Sequence, residues 1–202
     1  MDSTAWDERY AASELVWSAG PNQFVEQALA DLPPGRAVDL AAGEGRNAIW
    51  LARRGWQVSA VDFSQVGLDK GRQLAGDTPV DWVCADATRW SPEEPVDLVV
   101  VAYLQLPAEA RGAAVRNGFR ALRPGGTFFL VAHDSTNLAE GTGGPQDPEV
   151  LYTAEDVLAD LSGESFDVVH AGRVAREVST DDGHGGEQRR TAYDALVHLR
   201  RR

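Results

Sequence analysis

The chain has 202 residues, 43% of them hydrophobic, which suits one globular domain with a full core and leaves no room for a second catalytic domain. Its formal net charge of −12 disfavours a broad phosphate-binding surface, and with it nucleic acid as a partner. No run approaches the roughly 18 apolar residues of a membrane helix, and MDSTAWDERY has no features of an export signal. We therefore expect a single cytoplasmic domain, residues 1–202, with neither nucleic-acid nor membrane partners.

The cysteine content adds a second limit. Cys84 is the only cysteine, so no disulfide bond can form within the chain, and a reducing compartment fits. Cys84 lies in the apolar run VDWVCAD, which favours a buried thiol. No spacing of His, Asp or Glu residues predicts a metal site.

The N-terminal segment, residues 1–35, is expected to be helical. PNQFVEQALADLPPG places its apolar residues on one helical face before a Pro-Pro-Gly stop. The aromatic residues Trp6, Tyr10 and Trp17 suit either a lid over a bound ligand or a staple that fixes the first helix to the domain.

From residue 36 onward, short apolar runs alternate with helical patterns, which is typical of an α/β sheet. AVDL predicts a strand around Asp39, a helix follows from about Gly45 to Arg54, and QVSAVD predicts a second strand that ends at Asp62. VDWVCAD, VDLVVVAY and TFFLVAH predict three more strands, with a helix over PAEARGAAVRNGFRALRPGG before the last. The continuous apolar run 98–101 suits a strand that is buried on both faces.

The pattern changes after the fifth strand. DSTNLAEGTGGPQDPEV is a Gly/Pro-rich loop whose length favours a functional role, and TAEDVLADL predicts a short helix capped by Thr153. FDVVHAGRVAREV and TAYDALVHLR predict two strands joined by a polar segment. The expected fold is a Rossmann-like, doubly wound α/β sheet over residues 36–202, mostly parallel, with a C-terminal antiparallel strand pair.

A glycine loop follows the first strand. GEGRNA satisfies G-x-G-x-x-G/A with Gly43, Gly45 and Ala48, and Asp62 lies 17 residues after Gly45. A tight turn that binds nothing would also satisfy this pattern. A carboxylate at the end of the second strand, however, can accept hydrogen bonds from both hydroxyls of a ribose. The loop and Asp62 together favour a ribose-containing cofactor.

The acid before the loop discriminates between cofactors. A carboxylate at Asp39 would repel a pyrophosphate by roughly 4 kcal/mol at about 4 Å and an effective dielectric near 20, whereas it would attract an ammonium group. S-adenosylmethionine (SAM) carries a ribose and an ammonium group. No Gly-Lys pair forms a triphosphate-binding loop, and Val66 stands where a Tyr-x-x-x-Lys pair ending at Lys70 would need tyrosine. SAM is therefore favoured over NAD and nucleoside triphosphates.

From about residue 36 to 133 the sequence resembles the class I SAM-dependent methyltransferases. VDLAAGEG is similar to the family's first motif, with Ala41 where the family most often has its first glycine, and LRPGG is similar to the turn before the fifth strand. The resemblance implies a set of SAM-binding residues along four strand ends. They are Asp39, Gly43 and Gly45 in the first motif, Asp62 at the ribose, Phe63, Asp86 and Ala87 at the adenine, and Ala102 and Tyr103 at the methionine part.

GEGRNAIWLARRGWQVSAVD most resembles the small-molecule branch that includes tellurite-resistance and thiopurine methyltransferases. The sequence contains neither Asn-Pro-Pro-Tyr nor Asp-Pro-Pro-Tyr, which disfavours the DNA amino-methylating enzymes. The resemblance implies methyl transfer to an S, O or N nucleophile of a small molecule, by in-line displacement.

His133, at the end of the fifth strand, is the first candidate for a general base, and Asp134 the second. A hydrogen-bonded structural role suits His133 equally. Two alternatives to the methyltransferase also stay open, an NAD-linked oxidoreductase and a SAM-sensing domain without catalysis.

Overall fold

The computed structural model of the chain describes residues 3–12, 20–181 and 187–202. Trp17, one of the three aromatic residues of the expected lid, lies outside the described residues.

In the part of the chain that the structure describes, seven strands form a single sheet. They are β1 (Arg36–Leu40), β2 (Gln57–Asp62), β3 (Asp81–Cys84), β4 (Val96–Ala102), β5 (Leu122–His133), β6 (Phe166–Asp181) and β7 (Glu187–Arg201). Their order is β3-β2-β1-β4-β5-β7-β6, with the first five strands parallel and β7 antiparallel to both β5 and β6. The predicted sheet, mostly parallel with a C-terminal antiparallel pair, is confirmed.

Seven helices accompany the sheet within the described ranges. They are α1 (Ser3–Ala11), α2 (Gln23–Leu29), α3 (Arg46–Arg53), α4 (Gln65–Ala75), α5 (Ala108–Arg120), α6 (Asn137–Glu140) and α7 (Ala154–Asp160), with a 3₁₀ turn at Pro148–Val150. The predicted cap of α7 is present, since Thr153 and Asp156 form a reciprocal capping box. Within the described ranges, no helix has the length and apolar character needed to cross a bilayer.

The core lies on both faces of the sheet, as the apolar strands predicted. In β4, Val99 and Val101 pack into a cluster under α5 and α7, while Leu98 and Val100 pack into a second cluster with α2 and α3. Each of these four side chains is at most 1% exposed. This burial on both faces fixes the central strands rigidly, so the residues at their carboxyl ends have defined positions.

The prediction of a buried thiol at Cys84 is wrong. Cys84 is exposed, and its Sγ atom lies 3.6 Å from the carbonyl oxygen of Phe63. The reason is the position of β3 at the edge of the sheet, where an apolar strand is not covered on every side.

Candidate functional site

The direction of strand addition reverses between β1 and β4. The chain builds β2 and β3 on one side of β1, and β4 and β5 on the other. The connections after β1 and β4 therefore leave in opposite directions and open a crevice at the carboxyl ends of the strands, where α/β sheets bind their ligands. The expected site residues follow these strand ends.

Backbone strain marks the two sides of this crevice. Ala41, just after β1, has a φ of 62°, and Tyr103, just after β4, has a φ of 60°. Among the described residues, these are the non-glycine positions with a positive φ. Such a conformation costs about 1–3 kcal/mol and persists mainly at functional sites. Ala41 thus adopts the backbone conformation that the glycine usual at this position would adopt freely.

The glycine loop between β1 and α3 is shaped by close packing. Gly45 has a φ of 72°, and a Cβ atom there would lie 2.4 Å from the ring of Trp82 on β3. Only glycine fits this position without displacing the indole. The loop therefore follows a tight path that brings its backbone next to the end of β2.

Asp62, at the end of β2, meets that loop directly. Its carboxylate accepts hydrogen bonds from the amides of Gly43 and Ser64, each at 2.8 Å. Burial raises the pKa of Asp62, and the two amides partly oppose this shift. Each carboxylate oxygen keeps a second lone pair, so the geometry fits the expected hydrogen bonds to ribose hydroxyls.

Asp39 is buried beneath the loop, with 1% of its surface exposed. Its Oδ2 atom accepts a hydrogen bond from the Ala48 amide at 3.0 Å, whereas Oδ1 has no hydrogen-bond partner among the described residues. Burial raises the pKa of Asp39 to about 7. The electrostatic argument against a pyrophosphate is therefore weaker than the sequence suggested. The unpartnered Oδ1, however, fits the ammonium group of SAM as a donor.

The residues expected around the adenine lie at the ends of the next strands. Phe63 directly follows β2 and is 37% exposed. Asp86, two residues after β3, accepts hydrogen bonds from the amide and hydroxyl of Thr88, both at 2.8 Å, and Ala87 beside it is buried. The carboxyl edge of β1, β2 and β3 thus carries the acids and the aromatic ring that the motifs predicted.

Helix α1 packs at this end of the sheet. Tyr10 is buried against α4, where a Cβ at Gly67 would lie 3.1 Å from its ring, and Asp7 accepts hydrogen bonds from Ser64 and Val66. Trp6 lies beside Tyr10, with ring centroids 5.5 Å apart. The N-terminal helix is thus fixed next to Asp62.

A second part of the crevice, the acceptor cavity, opens at the ends of β4 and β5. It has a volume of about 490 Å³ and is lined by 21–23, Arg46, Tyr103, His133, 142–144 and 176–178. Residues 142–144 belong to the Gly/Pro-rich loop, so this loop lines a cavity. Gly144 passes close to His133, since a Cβ at Gly144 would lie 3.0 Å from the imidazole.

A buried polar network backs this cavity. Asp194 on β7 accepts hydrogen bonds at Oδ2 from the Tyr103 hydroxyl at 3.0 Å and from Arg176 Nε at 2.7 Å. His133 Nδ1 lies 3.4 Å from Asp194 Oδ1. Burial on its own raises the pKa of Asp194, but His133 and Arg176 outweigh it and hold that pKa below its usual range.

The two base candidates differ in position. His133 lines the acceptor cavity, and its ring lies 4.8 Å from the Tyr103 ring. The buried Asp134 accepts hydrogen bonds from the amide and hydroxyl of Thr136 at the start of α6. Of the two candidates, His133 is the one that lines the cavity.

Three residues of this region were missed from the sequence, namely Arg46, Arg176 and Asp194. Asp194 stands between apolar residues in the predicted last strand, and this acid in an apolar run is the signal that could have identified it. Arg176 comes from β6, far along the chain, and no local motif points to it.

The strand order is that of a Rossmann-like domain, and its glycine loop and carboxylates resemble those of the class I SAM-dependent methyltransferases. A family model described as "Methyltransferase domain" matches residues 37–126, from the start of β1 into the first residues of β5. The resemblance stated from the sequence is thereby confirmed, and SAM is the cofactor of this class.

The relatives and solved structures agree with this assignment. The chain is 36% identical to demethylmenaquinone methyltransferase of Clavibacter sepedonicus over 128 residues, 60% of this chain and 52% of that protein. The chain spans about half the length of the curated relatives it matches first.

Two solved structures share the fold at 17% identity. The N-methyltransferase NodS from Bradyrhizobium japonicum WM9, in complex with S-adenosylhomocysteine, has a TM-score of 0.74 and covers 100% of this chain and 99% of NodS. TehB from Haemophilus influenzae has a TM-score of 0.73, covering 90% of this chain and 63% of TehB.

Proposed function

We propose that this protein transfers the methyl group of SAM to a small molecule bound in the acceptor cavity. The observation that carries the proposal is the position of this cavity, which joins the ends of β4 and β5 next to the glycine loop. When bound, SAM supplies an electrophilic methyl group on a sulfonium. The protein contributes orientation, exclusion of water and a proton acceptor.

On the cofactor side of the crevice, we give each residue the role that the sequence motifs imply. Asp62 would hold the ribose, Phe63, Asp86 and Ala87 would border the adenine, and Asp39 would face the ammonium group across its unpartnered oxygen. Gly43, Gly45, Ala102 and Tyr103 would bring their backbone close to the methionine part. We also infer that α1 covers this side, since Tyr10 and Asp7 fix it beside Asp62.

The acceptor side supports a small molecule for two reasons. A cavity of about 490 Å³ is of the size that ligands of low molecular mass fill. The net charge of −12 opposes the broad phosphate contacts that a nucleic acid would need. His133 lines the cavity and would accept the proton of an acceptor whose nucleophile must be deprotonated.

The test is methyl transfer from SAM labelled in its methyl group, with a small-molecule extract and total RNA as separate acceptors. We expect label in the small-molecule products and none in RNA. Asp62→Ala serves as the control with a weakened cofactor site. Label in RNA would contradict the proposed acceptor class, and binding of SAM without transfer to any acceptor would support a SAM-sensing domain instead.

A further inference from the structure

Asp194 lies directly opposite His133, because the two residues are register partners in the antiparallel pairing of β5 and β7. Asp194 has no exposed surface. A buried carboxylate is unfavourable unless hydrogen bonds or cations compensate its charge. The groups that contact Asp194 are therefore the ones that its negative charge holds in place.

The two oxygens of Asp194 have different surroundings. Oδ2 accepts hydrogen bonds from both Tyr103 and Arg176, at 3.0 and 2.7 Å. Oδ1 has a long contact of 3.5 Å with Arg176 Nη2 and lies 3.4 Å from His133 Nδ1. His133 Nδ1 is buried and has no hydrogen-bond partner within the described part of the chain. A small rotation of the imidazole would join these two atoms.

We propose that Asp194 is a positioning residue that holds the Nδ1–H of His133 toward its Oδ1 atom, and that the methyl acceptor is a hydroxyl group deprotonated by Nε2. This inference rests on the proposed function, since it names the substrate class of the same cavity. Because Nδ1 faces Asp194, Nε2 is the ring nitrogen left to act on a molecule in the cavity.

The charges around the cavity select the hydroxyl. Arg46 from α3 lines it and would repel an acceptor that arrives as an ammonium, whereas the charge of Arg176 is compensated by Asp194. Glu177, the acid in the cavity lining, is paired with Arg189 at 3.5 Å. A thiol loses its proton readily and needs no strong base. An alcohol or phenol holds its proton more tightly and reacts faster when a general base removes it. A base held by a carboxylate is therefore best suited to a hydroxyl.

The transfer balances with these groups. The acceptor oxygen forms a bond to the methyl carbon, and its proton passes to His133 Nε2. The electron pair of the breaking carbon–sulfur bond stays on sulfur, which leaves S-adenosylhomocysteine without the sulfonium charge. The positive charge ends on the His133 imidazolium, next to the Asp194 carboxylate, and the proton then passes to solvent.

The first test is the tautomer of His133, measured by ¹⁵N NMR on the protein without cofactor at about pH 8.5, about two units above the pKa of an imidazole in a model peptide. His133→Gln assigns the signals. We expect the Nδ1–H tautomer in the wild type. In Asp194→Asn, the amide oxygen accepts the hydrogen bonds from Tyr103 and Arg176, so the amide NH₂ faces His133. This NH₂ donates to Nδ1, which must then be unprotonated, and the imidazole should switch to the Nε2–H tautomer.

Tyr103→Phe is the matched control, since it removes one donor to Asp194 and leaves the contact with His133 in place. Its expected tautomer is that of the wild type. An Nε2–H tautomer in the wild type, or the same tautomer in Asp194→Asn, would overturn the positioning role. The wild-type spectrum decides the question even if Asp194→Asn does not fold.

The second test compares hydroxyl acceptors with their thiol analogues in the labelled-methyl assay. In Asp194→Asn, kcat for the hydroxyl compounds should fall at least about tenfold, with the thiols affected less than about threefold. Transfer to thiols or amines alone would overturn the hydroxyl assignment. Failure of the wild type to bind S-adenosylhomocysteine in calorimetry would instead reject the proposed function and leave the NMR result standing.

Discussion

The two sides of the crevice each contain a wholly buried aspartate, and the two behave in opposite ways. Asp39, on the cofactor side, is 1% exposed and has a pKa raised by burial to about 7. Asp194, on the acceptor side, has no exposed surface, yet its pKa lies below the usual range. The residue type and the depth are the same, so the difference comes from the neighbouring groups.

Among the residues that the structure describes, Asp39 accepts one backbone hydrogen bond and leaves one oxygen without a partner, whereas Asp194 is surrounded by Arg176, Tyr103 and His133. Desolvation dominates in the first case, and cations and hydrogen bonds dominate in the second. The cofactor side therefore still has room for a charged donor, whereas the acceptor side already contains the cation that its carboxylate needs.

The largest expected effect follows from breaking the network at Asp194. Asp194→Asn should lower the free energy of unfolding at pH 7 by about 3–5 kcal/mol, because the partly buried guanidinium of Arg176 loses its charged partner. Since the folded-state pKa of Asp194 is depressed, its contribution is present above the unfolded-state pKa and disappears as the pH falls through the folded-state value.

Denaturant unfolding between about pH 3 and 8 measures this difference. Asp167→Asn is the control, because Asp167 is an exposed aspartate that also pairs with an arginine, Arg202. Its unfolding midpoint should not change measurably. Equal effects of the two variants would contradict the role given to the buried network.

Asp39→Asn should give the opposite dependence on pH. The folded-state pKa of Asp39 is raised from 3.8 to about 7, so ionisation destabilises the fold progressively between these values. A shift of this size corresponds to about 4 kcal/mol. Relative to the wild type, Asp39→Asn should therefore gain up to about 4 kcal/mol in unfolding free energy from about pH 4 to pH 8.

The same denaturant series provides the check, with the acidic end as an internal reference, since Asp39 is neutral there. A constant difference between wild type and Asp39→Asn across this range would mean that the carboxyl is not held in its neutral form. Asp39 and Asp194 would then not differ as described.

The smallest effect concerns strain at the start of the glycine loop. Ala41→Gly removes the cost of a positive φ of about 1–3 kcal/mol, but the glycine loses more entropy on folding. A net gain of about 1 kcal/mol in unfolding free energy is expected. Ala42→Gly, at the next residue, has no positive φ to relieve and should lose about 0.5–1 kcal/mol. Thermal unfolding of both variants measures the difference between their effects on stability. Destabilisation by Ala41→Gly would contradict the presence of strain at Ala41.

The positions of the candidate cofactor-binding residues at the strand ends could be predicted from the sequence because their determinants are local. Asp39, Gly43, Gly45 and Asp62 lie within one strand–helix–strand unit, where the turn geometry dictates the residue types. The sequence also shows Ala41 in place of the usual glycine, although its positive φ is visible only in the structure. The burial of Asp39 could not be predicted, since the glycine pattern does not report how deeply a side chain lies.

The residues around the acceptor cavity could not be predicted from the sequence in the same way. His133 and Asp194 meet because β7 pairs antiparallel with β5 in one particular register, and Arg176 arrives from β6. Register between distant strands is set by packing of the whole sheet and leaves no local motif. The error at Cys84 has the same origin, since an apolar run does not reveal that β3 is an edge strand.

The most direct test of the methyltransferase assignment is isothermal titration calorimetry of the wild type and Asp62→Ala with S-adenosylhomocysteine and, separately, with NAD. We predict that the wild type binds S-adenosylhomocysteine but not NAD, and that Asp62→Ala binds S-adenosylhomocysteine at least about tenfold more weakly, because a hydrogen bond to a charged group is lost. Binding of NAD without S-adenosylhomocysteine, or an unchanged affinity in Asp62→Ala, would contradict the account.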